Sequence, residues 1–164
     1  MVRDSPMNAG EAVVVRRGDL PQACAIARVL NEAFADFRPL YTEASYAATA
    51  LQPETVMVRM SEGPVWVALV ADEVVGTCSA KSLDDGLYLR GMAVSPRVRG
   101  RGVGQMLLST VEKFAEDIGY RRLRLSTTPF LTAAIALYER CGYVQDGERA
   151  WLGVTLIDMH KELG

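Results

Sequence analysis

Apolar positions along this chain fall into two periods, one of helices and one of strands. Val103, Met106, Leu107, Val111, Phe114, Ala115 and Ile118 recur at steps of three and four, which sets them on one face of a helix, the clearest amphipathic stretch in the sequence. Gly119 stands where a helix-ending glycine belongs. A second helix is predicted from Ile26, Val29, Leu30, Ala33 and Phe34, with Asp19 as its N-cap and Pro21 just inside. A third spans 132–141 and is ended by Gly142. Between them lie short β-branched or apolar runs that read as strands: 13–15, 65–70, 74–81, 87–94 and 122–126, with 143–144 and 152–159 as the last. Asp85-Gly86 marks a hairpin turn. The segment 41–60 is predicted as a helical stretch interrupted by Pro53. The order is strand, helices, a three-strand meander, helix, strand, helix, strands. That is a mixed α/β (α+β) sheet with helices on both faces rather than an alternating parallel fold.

Composition narrows the chemistry. The chain has 164 residues, suited to one domain, here expected over 12–164 behind a disordered tail at 1–11. Its longest apolar run, 65–71, is far short of the roughly 20 residues that span a bilayer, and 1–11 has no apolar core of a secretory signal. A formal net charge of −2 disfavours nucleic acid as a partner. Cys24, Cys78 and Cys141 are odd in number and have no metal-ligand spacing, so they read as reduced cysteines of a cytoplasmic protein. His160 is the one histidine. Multi-histidine metal sites are excluded and a histidine-activated nucleophile is disfavoured, so no metal is expected.

The segment 97–104 reads Arg-Val-Arg-Gly-Arg-Gly-Val-Gly and opens the best helix. Glycines let the backbone approach a ligand. The first helical turn carries unpaired N–H groups and partial positive charge. With three arginines added, this is a site for a di- or polyphosphate anion. It is neither a Walker loop, because no GK[ST] follows, nor a dinucleotide fingerprint, because the glycine spacing is wrong.

Arg99-Gly100-Arg101-Gly102-Val103-Gly104 resembles the R/Q-x-x-G-x-G/A pyrophosphate loop of the GNAT superfamily of N-acetyltransferases, and the preceding Met92-Ala93-Val94-Ser95-Pro96 resembles that family's strand before the loop. Ala134-Ile135-Ala136-Leu137-Tyr138-Glu139-Arg140-Cys141-Gly142-Tyr143 resembles its second signature, A-x-x-LYE-x-x-GF. The two lie in the family's order, and the likeness runs from about Val13 to His160. It implies a mostly antiparallel central sheet splayed into a V, with the cleft between residues 89–94 and 124–128. It also implies acetyl-CoA as cosubstrate, its pantetheine paired with the bulged strand at Met92, Ala93 and Val94 and its pyrophosphate held by Arg99, Gly100, Arg101, Gly102, Val103 and Gly104. The partner is then a small-molecule or peptide amine; homodimers are common in the family. Many members carry an asparagine before the second signature; here Leu131-Thr132-Ala133 stand instead, leaving the hydroxyls of Thr132, Thr127 or Thr128 for that contact.

Attack on a thioester needs a neutral amine. An amine of pKa ~10.4 is neutral about once in 2,500 at pH 7, a cost of roughly 4.6 kcal/mol. Tyr138 matches the family's tyrosine, which implies a general acid for the leaving thiolate, and a strand N–H near Val94 is the candidate to stabilise the oxygen that gains charge. The base is not identified: Asp84 and Asp85 suit turn geometry, and Asp36, Glu43 and Glu148 lie in segments the family uses to shape the acceptor pocket. Phe34, Phe37, Tyr41 and Tyr46 are candidate pocket walls. The competing class is an acyl-CoA-binding sensor that kept the fold without turnover.

Overall fold

The structure, a computed structural model, describes residues 11–164. Residues 1–10 of the expected disordered tail lie outside it. Among the described residues seven strands form one sheet in the order β1-β2-β3-β4-β5-β7-β6. They are β1 (Val13–Arg17), β2 (Val65–Val70), β3 (Glu73–Leu83), β4 (Gly86–Val94), β5 (Arg122–Thr127), β6 (Val144–Trp151) and β7 (Val154–Glu162). Every neighbouring pair is antiparallel except β4–β5.

β2 explains the layering. All six of its residues are buried, although successive side chains leave opposite faces. Val65, Val67 and Leu69 pack with α1 (Ala23–Phe34) and Val56 of α3 (Pro53–Glu62). Trp66, Ala68 and Val70 pack with α4 (Val103–Ile118). A continuous apolar run is what a strand covered on both faces requires. The valines and Leu69 among them each contribute about 1.5–3 kcal/mol by burial. Tyr138 of α5 (Thr132–Arg140) joins the α4 side, against Leu123, Leu125 and Met159.

Four local expectations are corrected. The stretch 41–60 is not one interrupted helix. Thr42 caps the short α2 (Glu43–Ala47), accepting from Ser45 N at 3.1 Å, and Pro53 begins α3. A proline is preorganised for a helix's first position, where its missing N–H costs nothing. Asp19 precedes a 3₁₀ turn, Leu20–Gln22, and α1 starts only at Ala23. In α4, Met106 and Ile118 are exposed, while Leu108 is fully buried. The buried stripe follows 103–107–111–115 with 104 and 108 beside it, and 106 falls off its margin. Finally, β6 runs for eight residues and turns at Leu152-Gly153 into β7. Its residues 144–150 are all exposed on this edge strand, so no apolar alternation marked it.

Candidate active site

β4 and β5 are paired at three positions only, Leu87↔Leu123, Tyr88↔Arg124 and Leu89↔Leu125. Beyond Leu89 the parallel ladder stops, which leaves backbone groups of residues 90–94 without partners from β5 and opens a cleft in the sheet. A bulge sits at the same point. The β3–β4 register shifts between Thr77 and Ser79, opposite Ala93 and Arg90, and Gly91 takes φ +64°. An inserted residue reverses which face the following side chains meet. Leu87 and Leu89 lie on the α4 side; after the bulge so do Met92 and Val94, while Ala93 turns to the α1 side.

Two cavities meet at the cleft. One, of about 520 Å³, is lined by Met92, Ala93, Val94, Arg99, Gly100, Gly102, Val103, Gly104 and Thr132, together with Arg140. The other, of about 280 Å³, is lined by Tyr41, Arg59, Tyr88, Arg90, Arg149 and Trp151 with Thr127 and Thr128. Phe34, Met92, Leu131 and Tyr138 line both.

The floor of the larger cavity is the start of α4. Gly100 and Gly102 adopt φ +81° and +75°, with open space where a Cβ would stand. Their reason is conformation: the left-handed region costs other residues roughly 1–2 kcal/mol. Gly104 differs. A Cβ there would lie 2.7 Å from Leu137 Cδ2 and 3.1 Å from Met92 Cε, so this glycine lets α4 close on α5 and β4. Met106 N donates to Gly102 O, which leaves the N–H groups of Val103, Gly104 and Gln105 without intrahelical acceptors at the cavity wall.

The three arginines of this turn separate. Arg99 lines the cavity and donates to Ala33 O at 3.4 Å. Arg97 is tied to Glu73 at 2.6 Å. Arg101 points its guanidinium to Glu11 O at 2.6 Å and lines a shallow depression beside Val15 instead. Arg140 joins Arg99 at the cavity, from the last turn of α5.

Tyr138 is 8% exposed and packs edge-on to Tyr143 at 6.0 Å. Burial, reinforced by the Cys78 thiol, pushes its phenol well above the ordinary tyrosine range, so it is protonated at neutral pH. The candidate acids do not gather here. Among the described residues no Asp or Glu lines either cavity. Asp85 pairs with Arg124. Of the candidate aromatics, Phe34, Phe37 and Tyr41 reach the cavities, while Tyr46 stacks edge-on against Tyr41 at 5.8 Å and under Arg38. Arg59, Arg90, Arg149 and Trp151 carried no signal in the sequence, because only the fold brings side chains of α3, β4 and β6 to one cavity.

A mixed sheet split between two parallel strands, with a glycine turn opening a helix at the split, is an acyl-carrier-binding architecture of the N-acetyltransferase type. The chain belongs to the GNAT family of acetyltransferases, whose family model matches residues 26–143. It is 32% identical over 140 residues to the N-acetyltransferase YjgM of Escherichia coli K12, covering 82% of this chain and 84% of that protein. It is 33% identical over 102 residues to human N-acetyltransferase 8B, covering 58% of this chain and only 45% of the relative, so it spans about half of that protein's length. Among solved structures, the PaiA N-acetyltransferase of Thermoplasma acidophilum in complex with coenzyme A superposes with a TM-score of 0.80 at 15% identity, covering 93% of this chain and 99% of the other. The acetyltransferase yncA of Salmonella typhimurium, with its cofactor acetyl-CoA, gives 0.74 at 21% identity, covering 93% and 95%. At these identities the structures speak for the fold. No helix among the described residues is long and apolar enough to cross a membrane.

Proposed function

We propose that this chain transfers the acetyl group of acetyl-CoA to a primary amine by direct attack, and the observation that carries this is Tyr138 at the junction of the two cavities. The larger cavity suits the cosubstrate. Its pyrophosphate fits the first turn of α4, where free N–H groups of Val103, Gly104 and Gln105 and the Arg99 charge converge. Arg101 reaches it only by releasing Glu11 O. The pantetheine amides fit the unpaired edge of β4 at Met92, Ala93 and Val94, in the place β5 vacates.

The amine enters from the smaller cavity. With no carboxylate in its lining among the described residues, and with the Arg59 and Arg90 guanidiniums in the wall, an ammonium ion is disfavoured and the neutral nucleophile favoured. This lowers the pKa of the amine in the site, and solvent takes the proton. Nitrogen then attacks the thioester carbon. As the C–N bond forms and the C–S bond breaks, the Tyr138 hydroxyl donates its proton to the departing sulfur. The nitrogen of the adduct, cationic once the C–N bond has formed, gives up a proton to solvent to leave the neutral amide, and the phenolate draws a proton back from solvent, so the proton count closes.

Thiol release from acetyl-CoA with a panel of amines, using a thiol-detecting reagent, tests the reading. Amine-dependent release that is lost in the absence of acceptor supports it. Tight acetyl-CoA binding with no release from any amine would instead make the chain an acyl-CoA sensor.

A further inference from the structure

The cation balance of the smaller cavity goes beyond what acetyl transfer needs. Arg59 on α3 and Arg90 on β4 both line it. Arg90 Nη2 lies 3.1 Å from Glu62 Oε1, and Lys81 Nζ lies 3.3 Å from Glu62 Oε2, so one carboxylate serves two cations. Arg59 forms no ion pair among the described residues; its hydrogen bond is a 3.5 Å contact to Ala48 O. Three cations therefore share a single acid. Burial and the neighbouring Arg90 charge pull the Arg59 guanidinium down to about 10. Nε of Arg90 is buried without a hydrogen-bond partner, and its buried Nη2 has only the Glu62 ion pair. The third arginine of the cavity is already neutralised, since Arg149 Nε lies 3.2 Å from Asp158.

Gly91 holds this arrangement in place. A Cβ at that position would lie 2.6 Å from Arg59 Nη1, so the bulged strand leaves room for the guanidinium of α3 to lie against it. Like charges brought together and left under-paired are costly. They are relieved by an anion, and guanidiniums match the two oxygens of a carboxylate. A cavity of about 280 Å³ falls at the small end of ligand sites, and Tyr41, Tyr88 and Trp151 give it aromatic walls.

Resting on the transferase reading above, we infer that the acceptor is a small amino acid-like amine whose own carboxylate is bound by Arg59 and Arg90. The carboxylate brings the amine into a cavity that would repel a plain cation. Polyamines and other acceptors without an anionic group are then poor substrates.

The test pairs phenylalanine with phenethylamine and alanine with ethylamine, adds the two amino acid methyl esters, and includes phosphoethanolamine as the phosphate arm. Acceptor kcat/KM is measured by thiol release, and binding by calorimetry in the presence of CoA. The free amino acids should exceed both their amines and their esters by at least about tenfold. Arg59→Gln should erase that preference and leave acetyl-CoA affinity unchanged; Arg90→Lys, which keeps the charge, should retain part of it. Equal or better turnover of the decarboxylated amines overturns the carboxylate site and keeps the transferase. Preference for phosphoethanolamine over both amino acids overturns the carboxylate in favour of a phosphate. No thiol release from any amine, with amino acid binding that disappears in Arg59→Gln, overturns the transferase and keeps the carboxylate site.

Discussion

Tyr138 can be separated from a packing residue because its hydroxyl and its ring do different things. Tyr138→Phe keeps the ring that fills the space beside Tyr143 and removes the donor. A general acid is worth typically about 10²–10⁴-fold. Thiolate leaves readily, with a thiol pKa of about 8.5, so a fall in kcat near the lower end is expected, with acetyl-CoA affinity unchanged. Turnover within about twofold of the parent would reduce Tyr138 to packing. The raised phenol also sets a pH pattern. Tyr138 stays protonated well above the ordinary tyrosine value of about 10. The rate should therefore climb with pH as the amine deprotonates and show no alkaline decline below pH ~10. A decline in the parent that vanishes in Tyr138→Phe would contradict this burial. Gly104→Val makes a different kind of test. Its side chain would strike Leu137 and Met92, so both the melting temperature and acetyl-CoA affinity should drop together. An unchanged melting curve with full acetyl-CoA affinity would sink the packing role given to this glycine.

At the scale of elements, the site depends on where β4 stops pairing. The bulge at Gly91 turns Met92 and Val94 toward α4 and seats Arg59 on the strand's other side. Gly91→Val combines φ +64° with a contact of 2.6 Å to Arg59 Nη1. It is expected to raise acceptor KM more than acetyl-CoA Kd; the reverse order would show that the bulge serves only the cosubstrate. A second element-level tie is Glu73, at the start of β3. It pairs with Arg97 of the turn before α4 at 2.6 Å and with Arg28 of α1 at 3.1 Å. These arginines, led by the hydrogen bond from Arg97, hold its carboxyl below the ordinary range. A carboxyl depressed in the folded state stabilises above its unfolded pKa, and that contribution is lost as pH falls through the lower folded value. Glu73→Gln should thus lower stability at neutral pH and converge with the parent in acid, as acid titration by circular dichroism would record. An equal deficit at every pH would point to lost packing rather than charge.

For the molecule as a whole, cosubstrate binding and folding are linked. Acetyl-CoA at about one hundred times its Kd should stabilise by roughly 2.7 kcal/mol, a rise of about 5–10 °C in Tm for a chain of this size. No shift by differential scanning fluorimetry at that excess would remove the assignment of the larger cavity. How much of this was legible beforehand follows from the range of each interaction. The period of α4, the doubly buried run of β2 and the glycine turn at 99–104 are local patterns, and local patterns survive in sequence. The exposed edge strand β6 and the start of α3 at Pro53 did not announce themselves, the first for want of apolar alternation, the second because proline both breaks and begins helices.

The α/β class, the helix-opening turn at Arg99, Gly100, Gly102 and Gly104, and Tyr138 within a signature that resembles a known family could be read from the chain alone, because each rests on residues adjacent along it. That Arg101 turns away to Glu11 and that Arg140 joins Arg99 at the cavity follows from the folded arrangement and not from spacing. The fold alone brought Arg59 of α3 against Arg90 of β4, with one carboxylate, Glu62, pairing with Arg90 and Lys81. Residues 59 and 90 lie on separate elements with a hairpin between them. Their charges meet because β4 bulges at Gly91 and the Arg59 side chain of α3 lies against that bulge, a coincidence of register and packing that no local spacing encodes.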